Sequence, residues 1–529
     1  MYGAEVSPRQ TPPGFPRTVG VIGGGTAGYF AALALKRRFP ELAVTVVESM
    51  QVPIIGVGEA TTTLMPPFLH QRLGLDIVEL FESVRPTFKL GIKFVWGPPG
   101  IDSFTYPFGD AWPIESFAFE RDLWPQSLTS LLMQEDRAPV LRAPDGSLLS
   151  LLPSLKFGYH LDNSSLVAYL KRAAQGAGLE HVEATLVGVE PRAESLGVAA
   201  LRSSDGRELC FDFYVDATGF RALLLEGCLG SPFTSYASSL FCDRAIVATV
   251  PRRGSPPPYT TAETMDAGWC WRIPVAGEDH RGYVHSSAFL DEDAAAAEMR
   301  IKSPGMGQPW TVRFRSGRHR DFWIGNTVAV GNAYGFVEPL ESTALHMVIV
   351  EIAYLIEGLA QLRAGSRDSS YASYVQSANG KLGAHWDYLR WFLAVHYRYN
   401  GRLDTPFWRA ARAETDISGM ADILDRFRRG GPWLSSSGDR FAASDPTFGY
   451  SGLMMLLLGQ QAQGSEQARP SMSRANWDTM LGRHRGVAAR ALPHREALEA
   501  LATNPLMLRD AVQSPGSWCH AEGKLLGAW

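Results

Sequence analysis

The sequence predicts an α/β fold: a Rossmann-like dinucleotide-binding domain, a β-sheet substrate region layered on it, and a mostly helical C-terminal region. Three observations carry this. The apolar strand Thr18-Val19-Gly20-Val21-Ile22 runs straight into a glycine loop, Gly23-Gly24-Gly25-Thr26-Ala27-Gly28. Strand-like segments then recur as far as Gly331. From about Ser342 onward the apolar spacing turns helical.

Taken in order, residues 1–17 are rich in proline and polar side chains and have no apolar h-region. They read as a disordered lead-in, not a signal peptide. Ala27 to Phe39 reads as a helix, with Lys36, Arg37 and Arg38 near its C-terminal end, where cations suit the dipole. Leu42 to Glu48 is a buried strand ending in a carboxylate, which completes a β-α-β unit. In such a loop the first glycine permits a tight turn, the second lets backbone approach a pyrophosphate, and the third lets helix pack on strand. The helix N-terminus then faces phosphate charge. Glu48 follows Gly28 at a spacing suited to accepting from ribose hydroxyls.

The loop alone leaves FAD and NAD open. Asp216-Ala217-Thr218-Gly219 and Val328-Ala329-Val330-Gly331-Asn332-Ala333 each end a strand, and together they favour FAD. Other strands are expected at Val182–Val189, Val198–Leu201, Glu208–Ala217, Cys242–Pro251, Gly282–Phe289 and Thr327–Gly331. The division is then 18–345 for the FAD-binding and layered-sheet domain and 346–529 for a mostly helical substrate and cap region. Leu345–Leu362 is the most apolar long run, and Glu351 and Glu357 interrupt it, which favours a buried helix over a membrane span.

With 45% apolar and 20% charged residues the 529-residue chain has ordinary globular composition. A net charge of −4 gives no electrostatic reason to expect nucleic acid or an anionic membrane as partner. Five scattered cysteines without a Cys-x-x-Cys pair argue against a disulfide framework and a zinc site; reduced thiols and a cytoplasmic location are expected. His385 and His396 fall on one predicted helix among Trp386, Trp391 and Tyr397, and packing is favoured there over metal binding. No His, Cys and carboxylate cluster has ligand spacing, so no metal is expected.

Five segments carry a more specific signal. They are Thr87–Phe94, Cys242-Asp243-Arg244-Ala245, Trp269-Cys270-Trp271-Arg272-Ile273-Pro274, Phe336–Ala344, and Asp404-Thr405-Pro406-Phe407-Trp408. On these, over residues 18–460, the chain resembles the tryptophan-halogenase-like branch of flavin-dependent halogenases. In that family reduced flavin and O2 give a flavin hydroperoxide, which halide attacks. The hypohalous acid then travels down a tunnel to a lysine, which hydrogen-bonds it or forms a haloamine.

The resemblance implies that Lys89 is this lysine and that Glu341 is a second catalytic acid, stabilising the cationic ring intermediate and assisting proton loss. The physical need is for positioning, because hypohalous acid is indiscriminate. An enclosed lysine also has its charged form disfavoured, which makes it a usable donor or nucleophile. Thr343 and Ala344 match the halide site, with alanine where the family often has glycine. Trp269, Trp271, Ile273 and Pro274 match the tunnel wall. Gly23, Gly25, Thr26, Ala27, Gly28, Glu48, Ala60, Val187, Gly331 and Leu345 match the cofactor contacts. Glu338 is expected to be structural, Lys93 a solvated lysine, and His346 a packed core histidine.

The substrate segments depart from the family. Tyr106-Pro107-Phe108 stands where tryptophan halogenases usually read His-Pro-Phe; Phe108 can still stack on an arene. Tyr450 occupies the place of a tyrosine-rich segment. The following Leu453–Leu458 run has no carboxylate to pair with a substrate ammonium. An indole, a phenol or a larger aromatic without a zwitterionic head is therefore at least as well matched as free tryptophan.

The expected reaction is FADH2-dependent chlorination or bromination of an electron-rich aromatic, with O2 and chloride or bromide as co-reactants. A separate NAD(P)H-dependent flavin reductase is the expected partner, since no second dinucleotide loop is visible. The resemblance also admits a homodimer. The competing reading is a single-component flavin hydroxylase, against which the two tryptophans argue. A non-catalytic flavin-binding protein would need neither Lys89 nor Glu341.

Overall fold

The computed structural model describes residues 14–525 except 53–55, 57, 110–113, 125, 194, 366–367 and 434–449. Most of the lead-in therefore lies outside the described residues. Thr18–Ile22, Thr26–Arg38 and Ala43–Glu48 form the β-α-β unit. They belong to a six-stranded sheet in the order Glu180–Glu183, Ala43–Glu48, Thr18–Ile22, Phe213–Asp216, Thr327–Ala329, Trp323–Ile324. The first five strands are parallel and the edge strand returns antiparallel. Parallel strands are covered on both faces, which is why Val19, Val21, Val44 and Val46 are all buried.

Two expected strands prove to be composite. Val182–Val189 divides into Glu180–Glu183 in this sheet and Leu186–Pro191 in a three-stranded sheet with Val198–Ser203 and Glu208–Leu209. Glu208–Ala217 divides in the same way, its second half being Phe213–Asp216. Apolar alternation marks each piece as strand but carries nothing about a change of partner.

The layered sheet has seven strands in the order Trp310–Arg313, Arg244–Pro251, Glu278–His285, Gly268–Pro274, Thr260–Met265, Gly91–Val95, Phe104–Pro107. Neighbours are antiparallel except Thr260–Met265 and Gly91–Val95. Gly268–Pro274 thus lies mid-sheet. Opposite Trp271 stands Gly282, where an added Cβ would fall 1.9 Å from the indole ring. Only glycine leaves the ring that seat.

The Leu345–Leu362 run lies within the helix Ala344–Arg363. It is long and apolar enough to cross a membrane, but here it packs between Thr26–Arg38 and Asp368–Tyr399 as a core helix. Residues 453–458 are all buried within the helix Tyr450–Gly459. The C-terminal region also supplies a strand, Ala491–Pro493, which pairs with Arg137–Arg142.

Candidate active site

Between the two large sheets lies a cavity of about 850 Å³. Gly23, Gly25, Thr26, Ala27, Glu48, Ala60, Gly331, Ala344 and Leu345 line it, as do Trp271 and Ile273 from the other sheet. The loop is shaped by the space around it. Gly23 has φ +124°, and a Cβ there would fall 2.2 Å from the Ala217 carbonyl oxygen. A Cβ on Gly28 would meet the Gly23 carbonyl at 1.9 Å, so Gly28 serves helix packing beneath the loop, outside the cavity lining. Gly25 faces open space. It precedes the helix with no side-chain cap, leaving first-turn N–H groups available to a phosphate. These features fit a dinucleotide such as FAD.

Glu48 lines the cavity already engaged: Tyr29 Oη donates to it at 3.1 Å, His181 Nε2 lies 2.8 Å away and Lys171 pairs with it. Burial pushes its carboxyl up, but Lys171 and His181 outweigh this and hold it below the usual range. Gly331, at φ +64°, donates its N–H to the buried Glu351 at 2.6 Å, and Trp386 donates to the other oxygen of the same carboxyl at 3.2 Å. The glutamate that interrupts the apolar run thus ties the core helix to the cavity floor. Val187 departs from expectation. Its side chain is 68% exposed and does not line the cavity; Leu186, on the opposite strand face, does.

Lys89 lies outside this cavity lining and is fully buried. Its strand, Thr87–Lys89, pairs with Gly158–Leu161. The Thr87 hydroxyl donates to the Pro274 carbonyl at 2.6 Å, and His160 lies 3.0 Å from the same hydroxyl. Phe88 N–H donates to His494 Nε2 at 3.1 Å. Lys89 Nζ donates to Ser342 Oγ at 2.5 Å and stands 5.2 Å from the Phe108 ring centroid, within cation–π range. Burial brings its pKa down to about 7, opposed by the charge of Glu341. Ser342 itself lines the cavity, in the left-handed region at φ +60°. One residue therefore joins the cofactor side to the lysine side.

Two carboxyls flank this junction. Glu341 is 4% exposed, and its Oε1 lies 2.9 Å from His396 Nε2. Glu338 is fully buried; Trp269 Nε1 donates to it at 2.7 Å and Tyr397 Oη donates to the same oxygen. Burial raises the Glu338 pKa to about 7 against those two hydrogen bonds. Trp269 is thus held by a carboxyl and lies off the cavity, whereas Trp271 and Ile273, on the same strand face, line it. Pro274 contributes its carbonyl to Thr87 and does not line the cavity. Thr343 is fully buried at the start of the core helix, and its hydroxyl has no hydrogen-bond partner among the described residues.

Tyr106 is half-buried, its ring 6.4 Å from that of Phe108, and a Cβ on Gly452 would lie 3.1 Å from its hydroxyl. The helix Tyr450–Gly459 therefore packs on this pair. The side chain of Tyr450 lies outside the described residues. Lys93 is half-buried, its Nζ 5.4 Å from the Trp124 ring centroid, and so is not a fully solvated lysine. His346 is buried, with Nδ1 2.9 Å from Thr62 Oγ1.

No local signal in the sequence marks Ser342, His494 or the pairing of His396 with Glu341. The packing role expected of His396 rests on its aromatic neighbours along the helix; the carboxyl it meets comes from another element.

Fold and site define a flavin-dependent oxidoreductase with an enclosed lysine and carboxyl set beside the cofactor cavity. The tryptophan halogenase family model matches residues 18–475. The 7-chloro-L-tryptophan 6-halogenase KtzR of Kutzneria sp. (strain 744) is 32% identical over 77% of this chain and 84% of its own length. The crystal structure of MibH, a lanthipeptide tryptophan 5-halogenase, superposes with a TM-score of 0.90 at 45% identity, covering 98% of this chain and all of that one. Xcc4156, a flavin-dependent halogenase from Xanthomonas campestris, gives 0.77 at 29% identity over 92% and 98%. The chain belongs to the tryptophan halogenase family. This decides the choice between halogenase and flavin hydroxylase in favour of the first.

Proposed function

We propose that this enzyme chlorinates or brominates the indole of a tryptophan residue carried in a peptide, with Lys89 presenting the halogen. The observation that carries the reading is Lys89 itself: buried, outside the cofactor cavity, and held between Ser342 on the cavity side and the Phe108 ring. The peptide-borne indole is supported by the 45% identity to MibH over nearly the whole chain. The wholly buried apolar run at 453–458, which offers no carboxylate to a free ammonium, supports it as well.

Bound reduced flavin, with O2 and halide, supplies hypohalous acid. Thr343 and the first turn of the core helix at Ala344 would hold the halide, the helix dipole favouring an anion there. With a pKa of about 7, Lys89 has both its ammonium and amine forms within reach near neutral pH, as donor to the oxygen of HOX or as nucleophile toward the halogen. Halogen passes to the ring carbon, hydroxide leaves as water, and Glu341 takes the ring proton. Trp271 and Ile273 line the cavity and would keep the substrate away from the flavin. A separate flavin reductase supplies the reduced cofactor.

The test is an incubation of enzyme, FAD, a flavin reductase, NADH and bromide or chloride with a tryptophan-containing peptide, N-acetyltryptophanamide, free tryptophan, indole and phenol. The halogen isotope pattern, strongest for the peptide, is the expected result. No halogenated product from any arene, with flavin turnover confirmed, would sink the proposal.

A further inference from the structure

We infer that His396 and Glu341 share one proton and act as a single proton-accepting unit, with His396 the positioning residue. This rests on the halogenation reading above. Hydrogen-bond polarity at the two ring nitrogens requires it. His396 Nδ1 lies 3.1 Å from the Phe392 carbonyl oxygen, which can only accept, so Nδ1 carries hydrogen. Nε2 lies 2.9 Å from Glu341 Oε1. A neutral ring protonated at Nδ1 presents a bare lone pair at Nε2, and an ionised carboxylate presents only lone pairs. Two such groups repel; a 2.9 Å contact requires a proton between them. The pair is either a carboxylic acid donating to Nε2 or an imidazolium donating to a carboxylate.

The setting fixes this contact. Both side chains are buried, at 0% and 3% exposure. The imidazole is packed among the rings of Phe94, Trp96 and Phe392. Trp96 also donates its indole N–H to the His396 carbonyl at 3.0 Å, which anchors the helix backbone at that residue. Glu341 in turn acts electrostatically on Lys89. The three groups are therefore all buried, and the carboxyl of the pair acts on the lysine through its charge.

The step balances internally. The O–X bond breaks, the C–X bond forms, and the departing hydroxide takes a proton from the Lys89 ammonium to become water. The ring C–H bond breaks and its proton goes to the second Glu341 oxygen, with His396 holding the proton the pair already had. The pair ends with one proton more and Lys89 with one fewer, and a single internal transfer restores both. Without His396 the carboxyl would have to accept the ring proton alone, and proton loss would become slow relative to halogen transfer.

Two measurements test this. The first compares wild type and His396→Gln on N-acetyltryptophanamide with a ring-deuterated indole. Glutamine can still donate to the carboxylate and preserve its placement, but it cannot take up a proton. Turnover should fall about tenfold or more, and a primary isotope effect absent from wild type should appear. Lost turnover without an isotope effect, or unchanged turnover, would overturn the inference. The second needs no activity: 15N-histidine NMR of the oxidised enzyme, with His396 assigned by its absence in His396→Gln. Its Nε2 should resonate as a protonated or hydrogen-bonded nitrogen and move in Glu341→Gln. An unbonded Nε2 that does not respond to Glu341→Gln would refute the shared proton. Absence of halogenation by wild type would sink the functional reading, and the NMR would still decide the pair.

Discussion

The cofactor cavity and the lysine site meet at Ser342 yet are built in opposite ways. The cavity is made from contiguous motifs: a glycine loop, the strand after its helix, and short turns at Gly219 and Gly331. The lysine site is made from contacts between distant parts of the chain: Lys89 with Ser342, Phe88 with His494, Trp269 with Glu338 and Glu341 with His396. Backbone and helix dipole suffice to bind a dinucleotide, and these are local properties. Tuning a lysine and two carboxyls takes burial and specific partners, which only tertiary packing supplies.

Glu338 and Glu341 show the contrast within one turn. They sit three residues apart. Glu338 receives two donors on one oxygen and fixes Trp269; Glu341 meets a histidine and acts on Lys89 through its charge.

The largest effect expected at fixed pH comes from breaking the lysine site alone. Glu338→Ala leaves the Trp269 and Tyr397 donors buried without their acceptor, at a cost of about 2 kcal/mol or more from orphaned buried groups. Thermal melting should show a clear drop with FAD affinity retained, and Glu338→Gln should recover most of it. An unchanged melting temperature in Glu338→Ala would mean that Trp269 does not depend on this carboxyl.

Next comes a break confined to the cavity. Gly28→Val drives side-chain atoms into the Gly23 carbonyl, and overpacking of this kind costs about 1–3 kcal/mol. Flavin fluorescence titration should give FAD binding weakened about tenfold or more, with Lys89 and its contacts intact. Undiminished FAD affinity would deny Gly28 its packing role.

Apart from these losses at fixed pH stands a pH dependence, set by the titration of Lys89. Its folded pKa of about 7 lies below the ordinary 10.5, because burial disfavours the ammonium. Between those values the unfolded chain binds a proton that the folded chain has lost, so stability from this site rises with pH across that window. The unfolding free energy of wild type relative to Lys89→Met should therefore climb from pH 7 to 10, by up to about 1.4 kcal/mol per pH unit. A flat difference would mean that the lysine keeps its charge on folding.

Legibility in the sequence follows the same divide. The β-α-β unit, the FAD assignment and the core helix could be read from local pattern, since periodicity and glycine spacing are local signals. The proposed roles of Lys89 and Glu341 rest on motif resemblance. What escaped was partner choice: that Glu351 would accept from Gly331, that Trp269 would need Glu338, and that His396 would meet Glu341. No spacing rule links residues that meet only when separate elements pack, and an aromatic-rich helix hides a working histidine among packing ones.

The central claim is that a single buried lysine separates oxidant production from arene halogenation. The direct measurement is Lys89→Ala with FAD, a flavin reductase, NADH, bromide and the peptide, following FAD affinity, a soluble scavenger of hypobromous acid and brominated peptide together. The account predicts unchanged FAD affinity, continued bromide-dependent scavenger bromination, and peptide bromination reduced at least about 100-fold. Peptide bromination retained in Lys89→Ala, or lost together with FAD binding, would contradict it.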